Sequence, residues 1–136
     1  MSVMPQKYSD VLEPKMSKIV SRLHDINRLK DLGWEVHINY SPVIFVKDWY
    51  SEYNKLFTAV KDIAGENKCE VIALTNHKLQ MIKAPAEAQE LMKWSSEVKN
   101  KSGVMRYPLR HKGRWIEEFK ELYSQYFDRN TIRYIF

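Results

Sequence analysis

The stretch that decides the fold class is residues 33–65, GWEVHINYSPVIFVKDWYSEYNKLFTAVKDIAG. Trp34, Val36, Ile38 and Tyr40 alternate with Glu35, His37 and Asn39. Period-two alternation puts one set of side chains on an apolar face and the other in water, so a half-buried strand is expected. Pro42 breaks the strand, and Val43 to Val46 resumes as a second short extended piece. Asp48 then offers a side-chain cap for a helix. Trp49, Tyr50, Tyr53, Leu56, Phe57, Val60 and Ile63 recur at three- and four-residue steps and mark its apolar face. Gly65 supplies the stop.

Reading toward the N-terminus, Met16, Ile19, Val20, Leu23 and Ile26 form another stripe. It predicts a helix from about Glu13, with Pro14 in its first turn, to Gly33. Residues 1–12 are read as an extended or flexible arm. Reading toward the C-terminus, Glu70 to Thr75 is a strand, Asn76-His77 a turn and Leu79 to Lys83 a returning strand. Pro85 opens a helix that frays near Asn100. Ser102 to Gly113 is a loop with a short strand inside Val104 to Leu109. A last amphipathic helix begins near Trp115. Thr131 to Phe136 alternates as a terminal strand with Ile132, Tyr134 and Phe136 inward. Trp49-Tyr50-x-x-Tyr53-x-x-Leu56-Phe57 echoes Trp115-Ile116-x-x-Phe119-x-x-Leu122-Tyr123, a spacing that a duplicated strand–helix–strand unit or any aromatic amphipathic helix produces. The sum is a single α+β domain over 1–136, about four helices packed on a small mixed or antiparallel sheet.

Composition narrows the function classes. With 136 residues, 44% hydrophobic and 29% charged, the chain has a globular make-up. Its unbroken apolar runs are short against the roughly 20 residues of a spanning helix. Its start, MSVMPQKYSD, has no apolar core of a secretory signal. Cys69 stands alone, so no internal disulfide and no thiolate-rich zinc site is expected, and the compartment expected is cytoplasmic. The four glycines are too dispersed for a phosphate-binding glycine loop.

The charge is unevenly placed. Between Val98 and Arg114 lie six basic residues and no acidic one, which leaves the rest of the chain with 16 basic and 17 acidic residues. The net charge of +5 belongs to that segment. Arginine forks and lysine point charges suit phosphates, and Tyr107 and His111 could stack on bases. A basic loop kept only for solubility has the same composition. Three readings follow. One is a small basic non-enzymatic protein binding nucleic acid through Lys99, Lys101, Arg106, Tyr107, Arg110, His111, Lys112 and Arg114. Another is a phage- or plasmid-type accessory protein that docks this loop on an acidic host protein and inhibits it. The third is a pocket for a nucleotide or phosphorylated ligand. Lysine outnumbers arginine 15 to 7, as in an AT-rich genome.

No catalytic residue, cofactor or metal ligand is assigned, and the reading leans away from an enzyme. His37 with Tyr50 or Tyr53 only faintly resembles a nicking-enzyme arrangement, since a second histidine is missing. The Glu-x-Lys triplets at Glu13 and Glu97 fall on expected helix, not on the strand that a magnesium nuclease needs. Cys69 with His77 could be argued as a thiol and base, but at the start of a strand Cys69 is better read as a small packing residue.

Overall fold

A computed structural model describes the backbone of residues 1–93, 97–98, 104–106 and 109–135, and their side chains except at 76–79, 97–98, 104–106 and 109–110. The elements run β1 (Ser2–Val3), α1 (Gln6–Leu12), α2 (Ile19–Asp31), β2 (Ile38–Val43), α3 (Trp49–Ile63), β3 (Cys69–Ala73), β4 (Thr75–His77), α4 (Lys78–Lys83), α5 (Ala86–Met92), β5 (Glu97–Val98), β6 (Val104–Arg106), α6 (Leu109–Ser124), a 3-10 turn (Arg129–Thr131) and β7 (Ile132–Ile135).

The principal sheet has the order β1-β2-β3-β7, and every neighbouring pair is parallel. This corrects the expected mixed or antiparallel sheet. A second, three-stranded sheet, β4-β6-β5, is antiparallel. Parallel neighbours need a crossover, and each crossover of the main sheet steps the same way. Right-handed crossovers in one direction collect their helices on one face. The core agrees: α2 gives Leu23 and Ile26, α3 gives Tyr53, Phe57 and Val60, and α6 gives Phe119, Leu122 and Tyr123, all in one buried cluster with Val3, Ile38, Tyr40, Cys69 and Val71. Phe57 is its hub, with ring centroids 5.3 Å from Tyr40, 5.5 Å from Phe119 and 5.5 Å from Tyr123, all edge-on. Such pairs add roughly 0.5–1.5 kcal/mol each beyond their area.

The opposite face of the sheet is different. Ser2 registers with Asn39, Asn39 with Glu70, and Glu70 with Tyr134. These four make a polar row across all four strands, partly exposed in Ser2, Asn39 and Glu70 and 50% exposed in Tyr134. Asn39 Oδ1 is buried on this side with no hydrogen-bond partner.

Local chemistry explains the departures from the sequence reading. Residues 1–12 form β1 and α1, with Val3, Met4 and Tyr8 fully buried. Arg22, 5% exposed, ties them down: Nε donates to Ser17 O (3.0 Å), Nη1 to Ser2 O (3.2 Å) and Nη2 to Ser9 Oγ (3.4 Å). β2 runs through the cis Ser41–Pro42 bond, and its pairing with β3 shifts register there, as a bulge lets a proline sit in a sheet. Trp34 lies outside β2 and is 67% exposed. The expected returning strand is instead α4, whose Lys, Leu, Gln and Met are good helix formers. α5 ends at Met92 and α6 starts at Leu109, directly after Pro108, so the expected loop is partly helix and Gly113 is helical. A register shift between Cys69 and Glu70 turns Tyr134 outward and Ile135 toward the core. Phe136 lies outside the described residues. Gly33 (φ 85°) and Gly65 (φ 67°) close α2 and α3 in the left-handed conformation that glycine adopts without strain.

Candidate functional site

Of the eight cationic-segment residues, the side chains of His111, Lys112 and Arg114 are described. Lys99, Lys101 and Tyr107 lie outside the described residues. Arg106 ends β6, its backbone opposite Thr75 and Glu97. Arg110, His111, Lys112 and Arg114 belong to α6. At about 100° per residue, Lys112 and Arg114 lie on different sides of the helix. Arg114 is paired with Glu118 at 3.1 Å. His111 lies against Trp115, ring centroids 5.4 Å apart, and Trp115 stacks on Phe45 at 5.1 Å and 10°. Trp115 is thus part of the packing, as its place in the apolar stripe implied.

The other sequence candidates also resolve. Cys69 is fully buried, its thiol donating to Tyr123 Oη at 3.5 Å, and burial pushes it up to about 11. That thiol is not a nucleophile at neutral pH. His77's side chain lies outside the described residues. His37 precedes β2 and Tyr50 follows it, so a six-residue strand of about 20 Å separates them. Tyr53 is buried, its hydroxyl donating to Pro42 O at 3.2 Å. Glu97-Val98 is strand β5 and not helix, but its side chains lie outside the described residues. Among the described residues no group of three or more His, Cys, Asp or Glu could hold a metal ion. Among them, too, no helix is long and apolar enough to cross a membrane.

Parallel sheets place their ligands beyond the carboxyl ends of the strands, where loops diverge. Here that end carries a cleft of about 690 Å³, lined by Lys7, Val46, Lys47, Asp48, Glu90 and Leu91. The size lies within the usual range for small-molecule sites. Lys7 stands at the start of α1, just past β1. Val46, Lys47 and Asp48 follow β2, and α5 supplies Glu90 and Leu91. Asp48 is the centre of the arrangement. It does not cap α3 with its side chain, contrary to expectation. Its carboxylate instead accepts from the Lys7 ammonium and, at 3.0 Å, from the hydroxyl of Tyr8. The Lys7 bond holds the Asp48 carboxyl below the usual carboxylate range against the opposing cost of burial, and Tyr8 adds to the lowering. The same bond raises Lys7. The result is two carboxylates, Asp48 held by Lys7 and Glu90 paired with Lys93, and two ammonium groups beside two aliphatic side chains. Such a set accepts hydroxyl donors, attracts an anionic group and shelters a flat apolar one.

None of these cleft residues was singled out for chemistry by sequence. Lys7 and Asp48 are 41 positions apart, and only the position of Asp48 directly after a strand could have marked it.

No family model and no curated protein matches the chain. Solved structures of spore photoproduct lyase do. One is a mutant with bound AdoMet and dinucleoside spore photoproduct, at TM-score 0.72 and 14% identity. Another is the lyase complexed with dinucleoside spore photoproduct, at TM-score 0.73 and 16% identity. Each match covers 98% of this chain and 42% of the lyase chain. The likeness is one of fold: an α/β arrangement also found within that lyase. It corrects the reading as a small non-enzymatic basic protein.

Proposed function

We propose that this chain is the ligand-binding part of an enzyme-type α/β fold, and that it takes a nucleoside-bearing small molecule in the cleft at the carboxyl ends of β1 and β2. The observation that carries this reading is the position of the Lys7–Asp48–Tyr8 constellation, at the end of the sheet where parallel-sheet proteins bind. The ligand class follows from two supports. The solved neighbours hold AdoMet and a dinucleoside. The lining also fits such a molecule part by part. The Asp48 carboxylate has acceptor capacity left for sugar hydroxyls. Lys47 faces a phosphate or carboxylate, and Val46 and Leu91 meet a base.

The test is thermal and chemical-shift titration with adenosine, AdoMet and a thymidine dinucleotide. A ligand present at 100 times its dissociation constant adds about 2.7 kcal/mol of stability. Shifts should centre on residues 7, 46–48 and 90–91 and weaken in Asp48→Asn. Absence of any saturable shift with all three probes would overturn the reading.

A further inference from the structure

A second cavity, of about 400 Å³, lies at the other side of the molecule, along the outer strand β7. It is lined by Lys120, Arg129, Ile132, Arg133, Tyr134 and Ile135. Its charge balance is unlike that of the ion pairs elsewhere. Lys18 pairs with Asp10, Arg22 with Glu13, Lys55 with Glu52, and Arg114 with Glu118, one cation to one carboxylate. At β7, Glu117 alone serves both Lys120 (2.8 Å) and Arg129 (3.3 Å). Arg133 donates from Nη1 to His37 Nδ1 at 3.0 Å, a ring nitrogen that must carry no proton to accept. That leaves the ring's Nε2 to donate to Glu35 Oε1 (3.1 Å), whose carboxylate is already held by Lys68 (2.6 Å). Among the described ion pairs, Lys120 and Arg129 thus share Glu117, while Arg133 bonds to a neutral ring nitrogen of His37. Positive charge outweighs its described partners along this rim. As an outer strand, β7 also offers backbone groups on its open side, and Tyr134 stands half exposed beside them.

From this geometry we infer that the β7 cavity is an anion site for a phosphate group, bound by Arg129, Arg133 and Lys120, separate from the cleft at the strand ends. Arginine forks hold phosphate oxygens bidentately, and a phosphate dianion matches the excess charge. Glu117 is the built-in competitor, because a bound phosphate must share Lys120 and Arg129 with it.

The experiment is NMR titration with inorganic phosphate, following the Arg129 and Arg133 Nε–H and the Lys120 side-chain signals. The expected result is saturable shifts at these three residues. Arg129→Ala with Arg133→Ala should weaken binding at least tenfold. Glu117→Gln should strengthen it several-fold, because a neutral amide competes less. All three positions are partly exposed, and urea midpoints of the variants serve as the folding check. A parallel titration with an oligothymidylate separates the sources. Tighter binding than inorganic phosphate, with a salt slope that falls by about one per cation removed, assigns the site to a nucleic-acid backbone. Equal or weaker binding assigns it to a small phosphorylated molecule. No saturable shift, or shifts that survive the arginine double variant, or weaker binding in Glu117→Gln, overturns the site and leaves the cations as guards of an open sheet edge. Asp48→Asn should leave this titration unchanged, so failure here and failure at the strand-end cleft are distinguishable.

Discussion

Replacing Arg22 with alanine tests how the strand-end cleft is held together. Arg22 is the only charged residue among the buried positions described, and it reaches three segments at once: β1 through Ser2 O, α1 through Ser9 Oγ, and the turn before α2 through Ser17 O. Its ion pair with Glu13, 2.8 Å from Nη2 to Oε2, has side chains only 6% and 28% exposed. Breaking a buried pair from one side costs about 3–5 kcal/mol, since the remaining group loses its compensation. Glu13 is close enough to water to rehydrate partly, so the lower end, about 3 kcal/mol, is expected. For a chain of this size that lowers Tm by about 10 °C. In urea the midpoint falls by about 2 M. The loss should also be local. Asn39 N–H donates to Met1 O at 2.8 Å, and its hydrogen exchange should accelerate ahead of the Phe57 region as β1 loosens. Arg22→Met with Glu13→Leu, which removes both charges and refills the space, should recover most of the stability. A single Arg22→Ala variant within 1 kcal/mol of the parent, with Asn39 protection intact, would refute the reasoning.

Phe57→Ala empties the hub of the aromatic cluster and should cost about 3–5 kcal/mol by urea denaturation; a loss under 1 kcal/mol would mean the helices do not converge there. Cys69 should resist thiol reagents at pH 8 in the native state and react at once in denaturant, in keeping with complete burial and a value of about 11. Glu35 should titrate by carbon NMR near pH 2, because Lys68 and then His37 hold its carboxylate charged. Its folded value lies below the ordinary 4.5, so its contribution is complete above that pH and is lost as pH falls toward about 2. A midpoint at the ordinary value would remove the Lys68 pair. Arg114→Ala should change stability by less than about 0.5 kcal/mol, since its i,i+4 pair with Glu118 is exposed.

Much of the fold was legible, and the main error has a physical cause. The stripes of α2, α3 and α6 were read from their apolar spacing, and β2 from alternation. That same alternation misled the topology. Ile38 and Tyr40 alternate with polar Asn39 because one face of this sheet packs on the helical core while the other carries a partly exposed polar row. Alternation of this kind is the usual mark of an antiparallel sheet with a wet side, whereas parallel strands covered on both faces read as continuous apolar runs. The succession of strand, helix and strand was the better guide, since it calls for crossovers. β1 and α1 were illegible because MSVMPQKYSD is short and mixed, and its order comes from Arg22, far away in sequence. The strand-end cleft was hidden for the same reason: Lys7, Asp48 and Glu90 belong to different segments, and no local spacing joins them. The cationic segment was conspicuous in composition, yet counting charges cannot reveal that Arg114 is paired with Glu118 one helical turn on.

The bare side of the main sheet has a consequence for how this molecule can change. Along β2, core residues alternate with partly exposed ones: Tyr40 is locked among rings, while Asn39 beside it stays outside that cluster. Stability and recognition are thereby written on alternate letters of the same strands. Mutational drift at Ser2, Asn39, Glu70 and Tyr134 can retune what the surface selects while the scaffold beneath stays intact.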